Sequence, residues 1–195
     1  MHFSANHSRK KESKFEFTVN TKLGFAKLKQ TGNVPLNGNV NGADVLFTLP
    51  LGSKWNLASG IGYLEYDANP SIAGNTASIK NSYLHIPVQF SSDFAIFNNE
   101  KPENQKIFFT VGLGVYANSL LKQELETVTG NSSVKNQGWN FGFSSQIGAK
   151  FILTDALNIG IGFEGQSDFT KMKKDGNEQK LENLNAVYFK MGFKF

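Results

Sequence analysis

The chain has 195 residues, 39% of them apolar, no cysteine and a formal net charge of +4. That length suits one domain, and the missing cysteine removes disulfides, thiolate metal sites and cysteine nucleophiles. No apolar run reaches the roughly 18 residues of a membrane-spanning helix, but a mean hydropathy of −0.31 leaves open a membrane barrel, whose apolar signal is diluted by alternation.

The opening residues MHFSANHSRKKES contain neither an apolar core nor a small-residue cleavage site, so they do not read as a secretory leader. The basic cluster Arg9, Lys10, Lys11 and Lys14 is short, while the other lysines are scattered. It therefore reads as part of a solvated tail over residues 1–12, not as a nucleic-acid surface. From residue 13 to 195 the chain reads as a single barrel domain.

Strand-like alternation recurs eight times. The first segment sets Phe15, Phe17, Val19, Leu23 and Phe25 against Glu16, Thr18, Asn20, Lys22 and Gly24. The second opposes Val45, Phe47, Leu49 and Leu51 to Gly42, Asp44 and Thr48, and the third Trp55, Leu57, Ile61 and Tyr63 to Asn56, Gly60 and Gly62. In the fourth, Leu84, Ile86, Val88 and Phe90 oppose Tyr83, His85 and Gln89. The fifth runs from Ile107 to Val115 over Thr110, Gly112 and Gly114. The sixth carries Trp139, Phe141, Phe143, Ile147 and Phe151 against Asn140, Gly142, Ser144, Gln146, Gly148 and Lys150. The seventh opposes Ile159, Ile161 and Phe163 to Gly160, Gly162 and Glu164. The eighth closes the chain with Val187, Phe189, Met191, Phe193 and Phe195 against Tyr188, Lys190, Gly192 and Lys194. Only Ser119 to Val128 has a helix-friendly composition.

The connections alternate in length. PLGSK and TDA are tight turns, whereas Lys29–Asn39, Asp67–Ser78, Leu120–Gln137 and Thr170–Leu184 read as long polar loops. Short turns at one end and long loops at the other are the habit of outer-membrane barrels. The link DFAIFNNEKPENQ is long where a short turn is expected, and reads as a sheet extension or a small cap.

The two faces decide between a soluble and a membrane barrel. The interior of an eight-stranded barrel is only just wide enough for side chains, so it would be overfilled by this many Phe, Trp, Leu and Ile. The opposite face is rich in Gly, Ser and Thr, as a narrow lumen requires and a solvated surface does not. The reading is therefore all-β: an eight-stranded antiparallel up-and-down transmembrane β-barrel with a closed polar lumen. Glu16, Asp44 and Glu164 offset Lys22, Lys150 and Lys190 in a lumenal charge network, since unpaired charges there would cost several kcal/mol each. Trp55, Tyr63, Tyr66, Tyr116, Trp139, Phe151, Tyr188 and Phe193 are expected in interfacial girdles.

Alternating hydrophobes ending in a terminal Phe, as in AVYFKMGFKF, resemble the C-terminal signature of bacterial outer-membrane barrels. With SYLHIPVQF, IFFTVGLGVYANSL and FGFSSQIGAKFILTDALNIGIGFEGQ, the chain resembles the PorT-like outer-membrane β-barrel family, akin in architecture to OmpX and the barrel of OmpA. The resemblance implies a bacterial outer-membrane location with both termini in the periplasm and contact with outer-membrane lipid. It implies that the barrel-assembly machinery recognises Val187, Phe189, Met191, Phe193 and Phe195. It also raises association with a larger envelope or secretion complex, and it implies no shared chemistry.

Catalytic and cofactor signals are weak. GIGFEG (Gly160, Gly162, Gly165) matches a dinucleotide fingerprint in form, but that fingerprint needs a helix opening at the glycines. Here they continue a strand, and lumen clearance accounts for them. His2 and His7 lie in the tail. His85 reads as a satisfied lumenal contact, without the rim partners of the lipid-modifying barrels, and no His/Cys clustering marks a metal site. The chain is thus read as a non-enzyme with no cofactor, in a structural, accessory-subunit or surface-interaction role. A barrel binding a small hydrophobic ligand and a lipid-modifying enzyme stand as the alternatives. The loops GNVPLNGNVNG, DANPSIAGNTAS and Lys122–Asn136 read equally as binding loops and as solubilising turns.

Overall fold

The computed structural model describes residues 15–52, 54–72, 75–96, 106–135, 138–174 and 176–195. The tail over residues 1–12 with its basic cluster, His2, His7 and the middle of the DFAIFNNEKPENQ link fall outside the described residues. Twelve strands follow in order: β1 (Glu16–Gln30), β2 (Leu36–Leu51), β3 (Trp55–Ala68), β4 (Ser71–Ile72), β5 (Asn75–Thr76), β6 (Ser78–Ala95), β7 (Ile107–Thr127), β8 (Gly130–Lys135), β9 (Trp139–Ile152), β10 (Leu157–Asp168), β11 (Met172–Lys174) and β12 (Asn177–Lys194).

Eight of these are staves, in the ring order β1-β2-β3-β6-β7-β9-β10-β12, and β12 pairs back onto β1. Each pairing is antiparallel, so the sheet closes without an edge. The closing seam runs from Glu16↔Lys194 to Gln30↔Gln179, and the Phe195 amide donates to the Phe15 carbonyl at 3.0 Å. The turn between β9 and β10 is pinned by Thr154, whose hydroxyl accepts from the Leu157 amide at 3.0 Å.

Along the lower part of every stave the apolar side chains point outward. Leu23, Phe25, Phe47, Ile61, Leu113 and Phe163 are all largely exposed on the barrel wall. A belt of this kind far exceeds the apolar patches tolerated by soluble monomers, and it suits acyl chains. The chain is an eight-stranded transmembrane β-barrel.

Above the belt the polarity reverses. The outward residues become Lys27 and Lys29 on β1, Glu65 on β3, Lys80 on β6, and Lys180 and Glu182 on β12. The Lys29–Glu182 ion pair is 2.8 Å and the Lys80–Glu65 pair 3.1 Å. Inside, Leu28, Val40, Leu64, Tyr66, Leu120 and Leu181 are among the members of a buried apolar cluster. This upper collar is built like a water-soluble protein, with oil inside and charge outside.

Two bulges mark the reversal. On β7, Leu120 faces Tyr83 of β6 and Lys122 faces Ser82, leaving Leu121 as an extra residue. On β12, Asn183 and Leu184 together oppose the single Ala26 of β1, and Asn183 adopts a left-handed φ of 51°. One extra residue exchanges the two faces of everything beyond it. Below the bulge on β12, Ala186 and Tyr188 face inward; above it, Leu181 and Gln179 do.

These slips explain two departures from the sequence reading. The helix-friendly stretch Ser119–Val128 is mostly strand, because Leu121 breaks its alternation without ending it. The loops Leu120–Gln137 and Thr170–Leu184 are largely β-hairpins: β7 continues into β8, and β11 pairs with the extended start of β12. Within Asp67–Ser78, β4 and β5 form a small hairpin of their own. The segment Lys122–Asn136 is thus a strand pair over its described residues; Asn136 itself is outside them.

Candidate functional site

The polar half of the interior lies within the belt. Register dictates its membership: on β1 the even residues Glu16, Thr18, Asn20 and Lys22 face inward, and each is buried. At its centre Lys22 Nζ lies 3.0 Å from Asp44 Oδ2 and 3.2 Å from Glu164 Oε1, with all three side chains at most 1% exposed. The carboxylates keep other donors. The Asn20 amide donates to Asp44 Oδ2 at 3.0 Å, and the Gln166 amide donates to Glu164 Oε1.

A second cluster sits nearer the short-turn end. Lys150 Nζ is 3.3 Å from Asp93 Oδ2 and 3.5 Å from Glu16 Oε2. Thr110 donates to Asp93 Oδ1 at 2.7 Å, Asn56 to Oδ2 at 3.3 Å, and Asn158 to Glu16 Oε2 at 3.0 Å. Every carboxylate oxygen in this cluster that meets the lysine is therefore shared with an amide. This fixes the side chains and leaves little freedom to bind or release a solute.

Of the six residues expected in the network, five form ion pairs. Among the described residues Lys190 does not: its Nζ donates to the Gln146 side-chain carbonyl and lies 4.6 Å from the centroid of the Tyr188 ring. Its place is held by a dipole and an aromatic face instead of a carboxylate. Asp93, a partner absent from the expected network, opens the DFAIFNNEKPENQ link in the sequence reading. Carrying the β6 alternation two residues beyond Ser91 places it inward, so the signal was present.

Three expected girdle residues also face inward. Tyr66, Tyr116 and Tyr188 are at most 3% exposed, because each shares the parity of the lumenal residues beside it. Tyr116 donates to Asp168 Oδ1 at 2.8 Å, while Asp168 Oδ2 accepts from the Leu181 amide. Tyr66 donates to the Leu36 carbonyl at 2.7 Å. Trp55 and Tyr63, by contrast, lie on the outer wall, with Trp55 stacked on Phe90 at 4.8 Å. Trp139 and Phe193 are exposed there too.

His85 is buried, its Nδ1 2.6 Å from Asn118 Oδ1 and its ring 5.2 Å from that of Tyr116. With Asp168, these groups form a polar floor beneath the apolar collar. Among the described residues no cluster of three His, Asp or Glu side chains is arranged to hold a metal ion.

Glycine fills the remaining role of clearance. A Cβ on Gly142 would lie 2.1 Å from the Tyr116 ring, and one on Gly148 would lie 2.2 Å from the Tyr188 hydroxyl. In GIGFEG only Gly162 obeys this rule. Gly160 has room for a methyl group, and Gly165 faces outward with Ser145 Oγ as its nearest contact, at 3.3 Å. The space left in the lower lumen amounts to about 60 Å³, bordered by Glu16, Gln89, Lys150 and Lys190. That is room for a few waters. The five C-terminal residues Val187, Phe189, Met191, Phe193 and Phe195 all project from the outer wall.

No protein-family model matches the chain, and no curated protein matches it in sequence. Solved structures do. The outer membrane protein OprG from Pseudomonas aeruginosa superposes with a TM-score of 0.53 at 12% identity, over 94% of this chain and 96% of that one. Neisserial surface protein A gives 0.49 at 12% identity, over 91% and 95%, and Ail, the attachment invasion locus protein of Yersinia pestis, 0.44 at 13%, over 92% and 98%. At such identities the likeness to OprG is one of fold alone, and the two looser superpositions add nothing to it.

Proposed function

We propose that the protein resides in a bacterial outer membrane, with Phe15 and Phe195 at the periplasmic rim and the collar outside the cell. There it serves as a non-catalytic anchor, accessory subunit or surface-interaction protein of a larger envelope complex, within the PorT-like kind that its sequence resembles. The observation that carries this reading is the filled interior. The Lys22–Asp44–Glu164 cluster and the apolar collar core occupy successive levels of the barrel. A barrel that conducts nothing acts through its surfaces, and the salt-bridged collar is the part that reaches beyond the bilayer. The terminal strand, with Val187 to Phe195 on its outer face, supports recognition by the barrel-assembly machinery.

The test is purification in mild detergent through an affinity tag, paired with planar-bilayer recording. A stoichiometric envelope protein should co-purify, and its recovery should fall when the β7–β8 tip at 128–130 is replaced by Gly-Ser. The bilayer should show no steady conductance. Large stable channels, or a barrel that purifies alone under every mild condition, would defeat the proposal.

A further inference from the structure

We propose that the outer wall over β9, β10, β12 and β1 carries a binding site for one anionic membrane lipid. Its glycerol-ester region lies in a notch over Ser145, Gly165 and Asn185, and its phosphate head group meets Lys27, Lys29 and Lys180. The register places Ser145, Gly165, Asn185 and Phe25 side by side across four staves. The row beneath them is Ile147, Phe163, Val187 and Leu23, all large. Three consecutive staves therefore omit a bulky side chain at one level of the belt, leaving a concavity of about 670 Å³. That volume is within the usual range of small-molecule sites.

Packing does not demand the omission. Gly24, in the same patch, is forced, since a Cβ would lie 2.0 Å from the Asn185 carbonyl. Gly165 would meet only Ser145 Oγ at 3.3 Å. The β12 bulge lies immediately above, and the Asn185 amide donates to the Asn183 carbonyl at 2.9 Å, which ties the rim down. A hydroxyl and an amide facing bare hydrocarbon are unfavourable. A lipid's ester and phosphate region gives them partners.

Charge selects the head group. Lys27 projects outward two residues above Phe25, about 7 Å along the strand, and no ion pair within 4.0 Å holds it among the described residues. Lys29 and Lys180 share the single carboxylate of Glu182. Three lysines against one glutamate leave this stretch of rim positive, just above the notch. A phosphate with no cation of its own complements it; a choline head group brings a cation to a surface already cationic.

The inference rests on the belt lying in a bilayer, which the shift of the unboiled folded band on gels tests separately. The full chain in mild detergent is titrated with phosphatidylglycerol or phosphatidylcholine of identical acyl chains and followed by native mass spectrometry. One phosphatidylglycerol should bind about tenfold more tightly than phosphatidylcholine. Gly165→Leu, which fills the notch, should abolish that first binding event, and Ser145→Leu provides the same filling should the first variant fail to fold. Lys27→Gln with Lys180→Gln should erase the preference for phosphatidylglycerol while leaving the folded band intact. Equal binding of the two lipids, tight binding unchanged by either filled notch, or full displacement of the lipid by inorganic phosphate would each overturn the proposal.

Discussion

Lys22→Met removes the cation at the centre of the lumen while keeping most of its stem. Asp44 and Glu164 then face each other's charge at a level where neither side chain is more than 1% exposed. Removing one partner of a buried ion pair destabilises by about 3–5 kcal/mol. Here the amides of Asn20 and Gln166 still donate to the two carboxylates, which places the loss at the lower end, about 3 kcal/mol. The combined variant Lys22→Met, Asp44→Asn, Glu164→Gln leaves no charge behind and should recover to within about 1–2 kcal/mol of the parent, since whole buried ion networks exchange for neutral groups with little loss. Both are measured by reversible urea unfolding in micelles, read by the fluorescence of Trp55 and Trp139 and by the folded band on unboiled gels. A loss below about 1 kcal/mol for the single variant is what a solvated ion pair would give. It would mean that bulk water reaches Lys22 and that the lumen is open. A triple variant no better than the single one would refute the electrostatic reasoning itself.

Gly148→Val should destabilise by about 1–3 kcal/mol through overpacking against Tyr188, whereas Gly160→Ala, with its nearest neighbours at 3.5 Å, should stay within about 0.5 kcal/mol in the same unfolding assay. Hydrogen bonds and ion pairs from Lys171 (2.7 Å) and Lys173 (2.8 Å) hold the Glu178 carboxyl down to about 2, from an ordinary 4.5. Its folded-state pKa is depressed, so its contribution is present above pH 4.5 and fades as pH falls towards 2. Amide exchange in the β11–β12 hairpin should quicken over that window, and Glu178→Gln should flatten the response. Deleting Phe195 removes one backbone hydrogen bond, to Phe15, and so should lower stability by only about 1 kcal/mol. Its yield in the membrane should fall much further if the terminal strand is the assembly signal; normal yield would count against that role.

Alternation made most of this architecture legible. The odd residues of β1 from Phe17 to Phe25 and the even ones from Glu16 to Lys22 point where a period of two sends them. The preference for large residues on one face and glycine on the other was enough to turn the barrel inside out. Legibility failed where the period slipped. Leu121 and Asn183 each insert one residue, so the strand beyond them looks aperiodic, and two long hairpins read as loops. It failed again at Asp93, which sits past the point where Ser91 and Ser92 blur the contrast between faces. The girdle assignment of Tyr66, Tyr116 and Tyr188 trusted residue type over parity, and parity prevails because a strand has no other way to aim a side chain. The Lys190 contact with Gln146 and Tyr188 could not have been read at all, since charge balance says nothing about which oxygen lies within reach.

The outward switch from apolar belt to charged collar governs how the molecule meets bilayers of different thickness. Staves longer than the hydrocarbon slab would ordinarily be free to slide along the membrane normal or to tilt. Here sinking further would drag Lys27, Glu65 and Glu182 into acyl chains, and rising would lift Phe25 and Tyr63 into water. The boundary between belt and collar thus acts as a depth stop. Exchanging Lys27 and Glu65 for apolar residues would let the protein sink further into the membrane without altering its length.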